Sequence, residues 1–281
     1  MLLIKHIDLL EKTIAEWHAS GLSVGFVPTM GALHQGHLSL IEQALLENDR
    51  VVCSIFVNPT QFNDPKDFKN YPNQMEEDFE LLKQKGCHLI FTPSKKDMYP
   101  KGESSVCFEL NDLDKQMEGA HRPGHFDGVC TIVSKFFELV KPKNAYFGQK
   151  DFQQLAIIRQ LNKSQNFGIN IVGCPIIREA DGLAMSSRNA LLNSEERAIA
   201  SNIYRIISEA KRQYSESSIS TLKSFVEAEI KAIADFRLDY VEIAHANTLQ
   251  ALKNEEKNEP AILCIAVFLG SVRLIDNILL N

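Results

Sequence analysis

Apolar positions recur in two alternating rhythms along the first 175 residues. Short continuous runs at Val24–Val27, Val51–Val57 and His88–Phe91 are rich in β-branched and aromatic side chains, the mark of strands buried on both faces of a parallel sheet. Between them, Leu38, Ile41 and Leu45 fall at helical spacing, as do Met75, Phe79 and Leu82 before a stop at Gly86. Val129, Ile132, Val133, Phe136, Phe137 and Val140 form a wider stripe and predict a deeply packed helix. Tyr146-Phe147 and Ile169–Ile177 read as further strands, with the helix Phe152–Gln165 between them. This order predicts an α/β fold built on a Rossmann-like, doubly wound parallel sheet.

The rhythm changes after Pro175. Residues 178–193 are polar and contain the turn signal Asp181-Gly182. Helices are predicted over 194–214, with Ile199, Ile203, Ile206 and Ala210 on one face, and over 219–236. Alternating stretches follow at 238–244, 261–269 and 272–275. Helices followed by neighbouring strands predict a smaller C-terminal α+β domain with a mainly antiparallel sheet. The expected division is residues 1–177 and 178–281.

Composition narrows the class. The 281 residues carry 30 Lys+Arg against 36 Asp+Glu, a net charge of −6, which argues against a nucleic-acid scaffold that relies on bulk positive charge. A local basic pocket for a small anion is still allowed. Hydrophobic content of 44% and charged content of 23% exclude disorder. The longest apolar run, Ala261–Leu269, is half of what a membrane-spanning helix needs, and Met1–His6 lacks the order of a secretory signal. Neither nucleic acid nor membrane is expected as a partner. The six cysteines (Cys53, Cys87, Cys107, Cys130, Cys174 and Cys264) form no CxxC unit. Each lies in an apolar stretch, so buried, reduced thiols and a cytoplasmic setting are expected.

Five segments carry candidate chemistry. Pro28-Thr29-Met30-Gly31 followed by Ala32-Leu33-His34-Gln35-Gly36-His37 joins the Val24–Val27 strand to the next helix. Free N–H groups and the positive end of that helix favour phosphate there. Gly31 and Gly36 let the backbone approach closely, and two histidines three apart can donate to one phosphate as charge develops. The segment is not a P-loop, because His37-Leu38 stands where Lys-Ser/Thr is required. Read alone, it could also be an ordinary turn with two surface histidines. In Met185-Ser186-Ser187-Arg188-Asn189, hydroxyls and a guanidinium could close over a triphosphate. In Gly148-Gln149-Lys150-Asp151, the lysine can act as a point charge and the aspartate can accept from a ribose hydroxyl or cap a helix. Asn58-Pro59-Thr60-Gln61-Phe62 can orient a polar substrate through a carboxamide. Arg122 in Arg122-Pro123-Gly124-His125-Phe126 could pair with a carboxylate or phosphate, or bridge subunits. Glu76, Glu77 and Asp78 read as a solvated first helical turn. No metal-ligand cluster and no covalent nucleophile emerges.

Taken together and in this order, the five segments resemble the pantothenate synthetase (pantoate–β-alanine ligase) family over most of the chain. The histidine motif and the Ser-Ser-Arg loop alone would indicate only the wider HxGH nucleotidyltransferase superfamily. The Asn58–Phe62 and Arg122–Phe126 segments narrow the match. The resemblance implies an ATP-dependent ligase that condenses pantoate with β-alanine, through pantoyl adenylate, into pantothenate, AMP and diphosphate. It implies an ATP site made of Met30, Gly31, Ala32, Leu33, His34, Gln35, Gly36 and His37, completed by Gly148, Gln149, Lys150, Asp151, Ile177, Met185, Ser186, Ser187 and Arg188. His37 would be the proton donor, with His34 and Lys150 as further catalytic groups. Gln61 and Gln154 would hold pantoate, and Gln61 would also lie near β-alanine. Mg²⁺ accompanying ATP, a cytoplasmic homodimer and a C-terminal lid are likewise implied. Gln149 departs from the family pattern, standing where an acidic residue is common.

In-line attack at phosphorus builds charge on phosphate oxygens, so donors that strengthen in the transition state suit this chemistry. His34, His37, Lys150 and Arg188 are those candidates. A transferase passing a nucleotide to a phosphate would need a second cationic cluster, whereas Gln61 and Gln154 are neutral. A non-catalytic ATP-sensing dimer would give Lys150 and both histidines no task.

Overall fold

The computed structural model describes residues 1–281. In chain order the elements are β1 (Leu2–Ile4), α1 (Ile7–Ala19), β2 (Val24–Thr29), α2 (Gln35–Glu47), β3 (Arg50–Ile55), α3 (Pro65–Asn70), α4 (Met75–Gln84), β4 (Leu89–Phe91) and α5 (Lys95–Met98). They continue through α6 (Met117–His121), α7 (His125–Val140), β5 (Asn144–Gly148), α8 (Phe152–Ser164) and β6 (Asn170–Cys174). The C-terminal part holds α9 (Ser194–Ala200), α10 (Asn202–Gln213), α11 (Ile219–Lys231), β7 (Phe236–His245), β8 (Ala261–Leu269) and β9 (Val272–Leu279).

Six strands form one parallel sheet in the order β1-β4-β3-β2-β5-β6. From β2 the chain winds outward through β3 and β4, then crosses back to β5 on the other side of β2. The order therefore reverses between β2 and β5. In open α/β sheets, the crevice at the carboxyl ends of two such strands is where ligands bind. β7, β8 and β9 form a separate antiparallel sheet. The doubly wound sheet with a smaller α+β part agrees with the hydrophobic pattern. In detail, α1 precedes the first expected strand, the strand expected over 169–177 narrows to β6, and the helix expected over 219–236 ends at Lys231, with Phe236 opening β7. The sheet gains an edge strand, β1, of only three residues. The helix predicted over 194–214 is broken at Ser201, where the Asn202 side chain takes the Ile199 carbonyl (2.9 Å), a local competitor for helical hydrogen bonding. Among the cysteines, Cys107 is exposed while the other five are buried. Its segment, Lys101–Glu109, is largely solvated, and its Sγ lies 3.8 Å from Asp127.

α7 is buried along most of its length and packs Phe136 and Phe137 edge-on against Phe26. It starts at Gly124 (φ 78°), and at Gly128 a Cβ would overlap the Thr60 carbonyl. Glycine there lets the helix lie directly against the Pro59–Gln61 turn. The largest apolar cluster does not stop at residue 177. It joins α7 and α8 to Ala244, Leu249, Ile262 and Cys264 of the C-terminal part. The buried Glu118 receives two hydrogen bonds from Arg273 (2.7 and 2.8 Å), which also binds Asp239. Loss of Arg273 would leave the buried Glu118 with only the Arg122 guanidinium at 3.6 Å and the Tyr240 hydroxyl, and loss of Glu118 would leave Arg273 with Asp239 alone.

Candidate active site

The Met30–His37 turn leaves β2 at the crevice. Gly31 has φ 82° and Ala32 φ 50°, a conformation glycine adopts freely and alanine does not. What holds Ala32 there is Asp78, in the first turn of α4. It is 1% exposed, and its carboxylate accepts from Ala32 N–H (2.8 Å) and Leu33 N–H (2.7 Å). Glu76 and Glu77 are exposed as expected; Asp78 corrects that expectation. Burial pushes its carboxyl above the usual range, opposed by the two N–H donors.

The turn ends in a cap made from its own histidines. His34 Nδ1 accepts from the Gly36 N–H (3.1 Å), and His37 Nδ1 accepts from the His34 N–H (3.3 Å). The rings lie 4.0 Å apart between centroids. Burial, then the positive charge of Lys150, lowers His34 to about 4. Burial, then the charges of His34 and Lys150, lowers His37 to about 3. Both imidazoles are therefore neutral at pH 7. A neutral ring that accepts at Nδ1 carries its proton on Nε2, so each has an Nε2–H to donate. The cap thereby assigns the tautomers, which sequence alone leaves open.

The other segments converge on the same cleft. Met30, His34, Gly36, His37, Gln61, Gly148, Lys150, Asp151, Gln154, Ile177, Met185, Ser186, Ser187 and Arg188 all line it. Five of the expected nucleotide-site residues do not. Gly31 and Ala32 border a separate depression next to Asp78, Leu33 is buried in the core, and Gln35 is exposed. Gln149 also lies off the cleft wall, so the acidic-to-amide departure falls on a side chain that does not face the cavity.

The C-terminal loop is already in contact with the histidine turn. Ser187 Oγ donates to the Ala32 carbonyl (2.8 Å), and the Met185 N–H donates to the Ile177 carbonyl (3.0 Å). Arg188 pairs through Nε and Nη2 with Asp67 of α3 (3.3 and 2.9 Å) and lies 5.6 Å from the Tyr71 ring centroid. Gln61 is set from two sides. Its Oε1 accepts from Asn58 Nδ2 (3.1 Å), which also reaches the Gly128 carbonyl. Its backbone carbonyl accepts from His125 Nδ1 (2.7 Å) and Arg122 (3.4 Å). Burial and Arg122 lower His125 to about 4, so this ring too is neutral. The Arg122–Phe126 segment thus supports Gln61, and Arg122 itself lies 3.6 Å from Glu118.

Asp67 and Asp78 are the residues that sequence reasoning missed. Their partners lie 121 and 46 positions away in the chain, beyond any local pattern. No helix is long and apolar enough to cross a membrane.

Comparison with known proteins gives one consistent result. The family model described as Pantoate-beta-alanine ligase matches residues 2–279. A pantothenate synthetase of Bacteroides fragilis is 49% identical over 278 residues, covering 99% of this chain and 98% of the relative. That of Flavobacterium psychrophilum is 49% identical over 260 residues, or 92% of each chain. The crystal structure of pantothenate synthetase from Thermus thermophilus has a TM-score of 0.91 at 40% identity, covering 100% of this chain and 99% of that one. Pantoate-beta-alanine ligase from Francisella tularensis, complexed with beta-gamma ATP and beta-alanine, has a TM-score of 0.83 at 38% identity, covering 100% and 98%.

Proposed function

The chain belongs to the pantoate–β-alanine ligase family, and from that premise we propose how its residues share the ATP-dependent condensation of pantoate with β-alanine. In the first half-reaction the pantoate carboxylate attacks the α-phosphorus of ATP, giving pantoyl adenylate and diphosphate. In the second the β-alanine amine attacks the acyl carbon, the C–O bond to the phosphate breaks, and pantothenate and AMP leave.

The observation that carries the residue roles is the convergence of two neutral imidazoles and Lys150 on one cleft with two carboxamides. Nε2–H of His34 and of His37 donates to α-phosphate oxygens, and each bond strengthens as charge builds during attack. With both rings neutral, the resting enzyme donates hydrogen bonds there instead of a full positive charge. Lys150 supplies the point charge. The Met30–His37 and Gly148–Asp151 turns, Ile177 and Met185–Arg188 enclose the nucleotide, with Ser186, Ser187 and Arg188 toward its phosphates. Gln61 and Gln154 hold pantoate, and Gln61 also meets β-alanine; neutral carboxamides orient these substrates without adding charge.

Mg²⁺ accompanying ATP fits this lining. Asp151 is the one carboxylate on the cleft wall, and an ion that keeps water and phosphate ligands requires little more from protein. When bound it neutralises phosphate charge. Residues 1–177 are the ATP- and pantoate-binding part, and residues 178–281 the part that carries the lid. Closure is assigned to the 185–191 stretch, because the sheet behind it is tied down by Arg273 on Glu118. A cytoplasmic homodimer completes the reading, on family membership alone.

ATP–pyrophosphate exchange tests the scheme. Exchange is expected with pantoate and ATP alone. A requirement for β-alanine would refute a separate adenylation step.

A further inference from the structure

Where the two sheets meet, β9 carries two buried polar residues side by side, Asp276 (4% exposed) and Asn277 (6%). Asn277 Nδ2 donates to the carbonyls of both Gln149 and Lys150, each at 2.9 Å. Those carbonyls belong to the single turn of 3₁₀ helix, Gln149–Asp151, from which Lys150 enters the cleft. Asn277 is itself anchored. Its N–H donates to Asp276 Oδ1 (2.8 Å), and Arg178 grips that carboxylate through Nη1 (2.7 Å) and Nη2 (3.0 Å). Arg178 also donates to the Gly182 carbonyl (3.1 Å) and stacks 3.8 Å over the Tyr204 ring.

The contrast with the neighbouring cations gives this contact its meaning. Arg122, Arg178, Arg188 and Arg273 are each paired with a carboxylate, whereas Lys150 forms no ion pair. A lysine on a flexible four-carbon stem, with no ion pair at its tip, is aimed by whatever fixes its root. The root is fixed by Asn277, 127 positions away in the chain. Only a donor serves there, since a carboxylate at the same place would face two carbonyl oxygens.

We propose that Asn277 is a positioning residue for adenylation: it sets, from the C-terminal sheet, the turn from which Lys150 reaches the phosphates. Through Asp276 and Arg178, the same point is tied to the strand-like turn that delivers Met185–Arg188. The two cationic arms of the site therefore share one reference. This rests on the proposed function and extends it to a residue outside the cleft chemistry.

The test compares four proteins: wild type, Asn277→Asp, Lys150→Ala and the double variant. Pantoate-dependent ATP–pyrophosphate exchange is expected to fall about 10- to 100-fold in Asn277→Asp, the scale of a reacting group displaced by an ångström. In the Lys150→Ala background the same change should alter the rate less than about 2-fold, because the group it positions is gone. Equal losses in both backgrounds, or unchanged exchange in Asn277→Asp, would overturn the proposal. If Asn277→Asp does not fold, Asn277→Ser goes through the same cycle with the same reading. Amide hydrogen exchange at residues 149–152 gives a readout independent of activity. Protection should drop about 10-fold in Asn277→Asp, and unaltered protection would refute the role. Absence of pantoate-dependent exchange in wild type would instead sink the functional reading and leave the hydrogen-exchange result to decide this one.

Discussion

Replacing Asp78 by alanine tests whether the histidine turn is held from behind. The carboxylate is 1% exposed and accepts two backbone N–H groups at 2.8 and 2.7 Å. Its removal leaves two buried donors, each worth roughly 1–3 kcal/mol when unsatisfied. Two effects reduce the sum. The desolvated carboxylate, whose pKa burial has raised, no longer has to be buried, and the neighbouring depression can admit water to one N–H. The net loss should be about 2–4 kcal/mol, within reach of a protein whose total stability is of order 5–15 kcal/mol. Asp78→Asn keeps the shape but one of its two polar atoms becomes a donor facing a donor, so about half that loss is expected. Urea unfolding measures the stability, and pyrophosphate exchange at a temperature where each variant is folded measures the site. Because the Asp78 carboxylate ties the backbone at Ala32, which sits at φ 50°, exchange should fall at least about tenfold in Asp78→Ala. A stability change below about 1 kcal/mol together with normal exchange would refute the reasoning.

Three further outcomes follow from the geometry. His37→Ala should lower exchange by about 10²–10³ while ATP affinity, by calorimetry, changes far less; equal losses in both would make His37 a binding group only. Gly128→Ala forces α7 off the Thr60 carbonyl, so a stability loss of about 1–3 kcal/mol and a raised KM for pantoate are expected from unfolding curves and steady-state kinetics. The lowered His34 and His37 values, about 4 and about 3, against about 6.5 when unfolded, mean that the unfolded chain takes up protons first as pH falls. Their contribution to stability is present in full above about pH 6.5 and is lost progressively toward about pH 3–4. NMR of the free protein should show both rings titrating well below about pH 5, and titration near 6.5 would contradict the burial argument.

The fold was legible because its signals are local. Buried strands such as Val51–Val57 announce themselves by continuous β-branched runs, and α7 by its stripe. The chemistry was legible because each segment keeps its polar groups together at one strand end. What escaped was everything that depends on pairing at a distance. Nothing around Asp78 distinguishes it from Glu76 and Glu77; only the arrival of the β2 turn overhead makes it an acceptor. Asp67 and Asn277 likewise gain their roles from partners 121 and 127 positions away. β1 was lost for a different reason, since three residues at an edge carry too little pattern, although Ile7, Leu10, Ile14 and Trp17 of α1 do fall at helical spacing. Cys107 shows the converse error: an apolar neighbourhood in sequence that the fold leaves in water.

The apolar cluster that runs from α7 and α8 into Ala244, Leu249, Ile262 and Cys264 bears on how this enzyme can be taken apart. A cut at residue 177 would strip a greasy seam bare and take from Glu118 the guanidinium that donates to it twice, leaving it only Arg122 at 3.6 Å. Each half, expressed alone, should aggregate or stay partly molten, and soluble material should return when both are refolded in the same tube. Swapping the C-terminal portion with that of a relative would succeed only if the seam travelled with it.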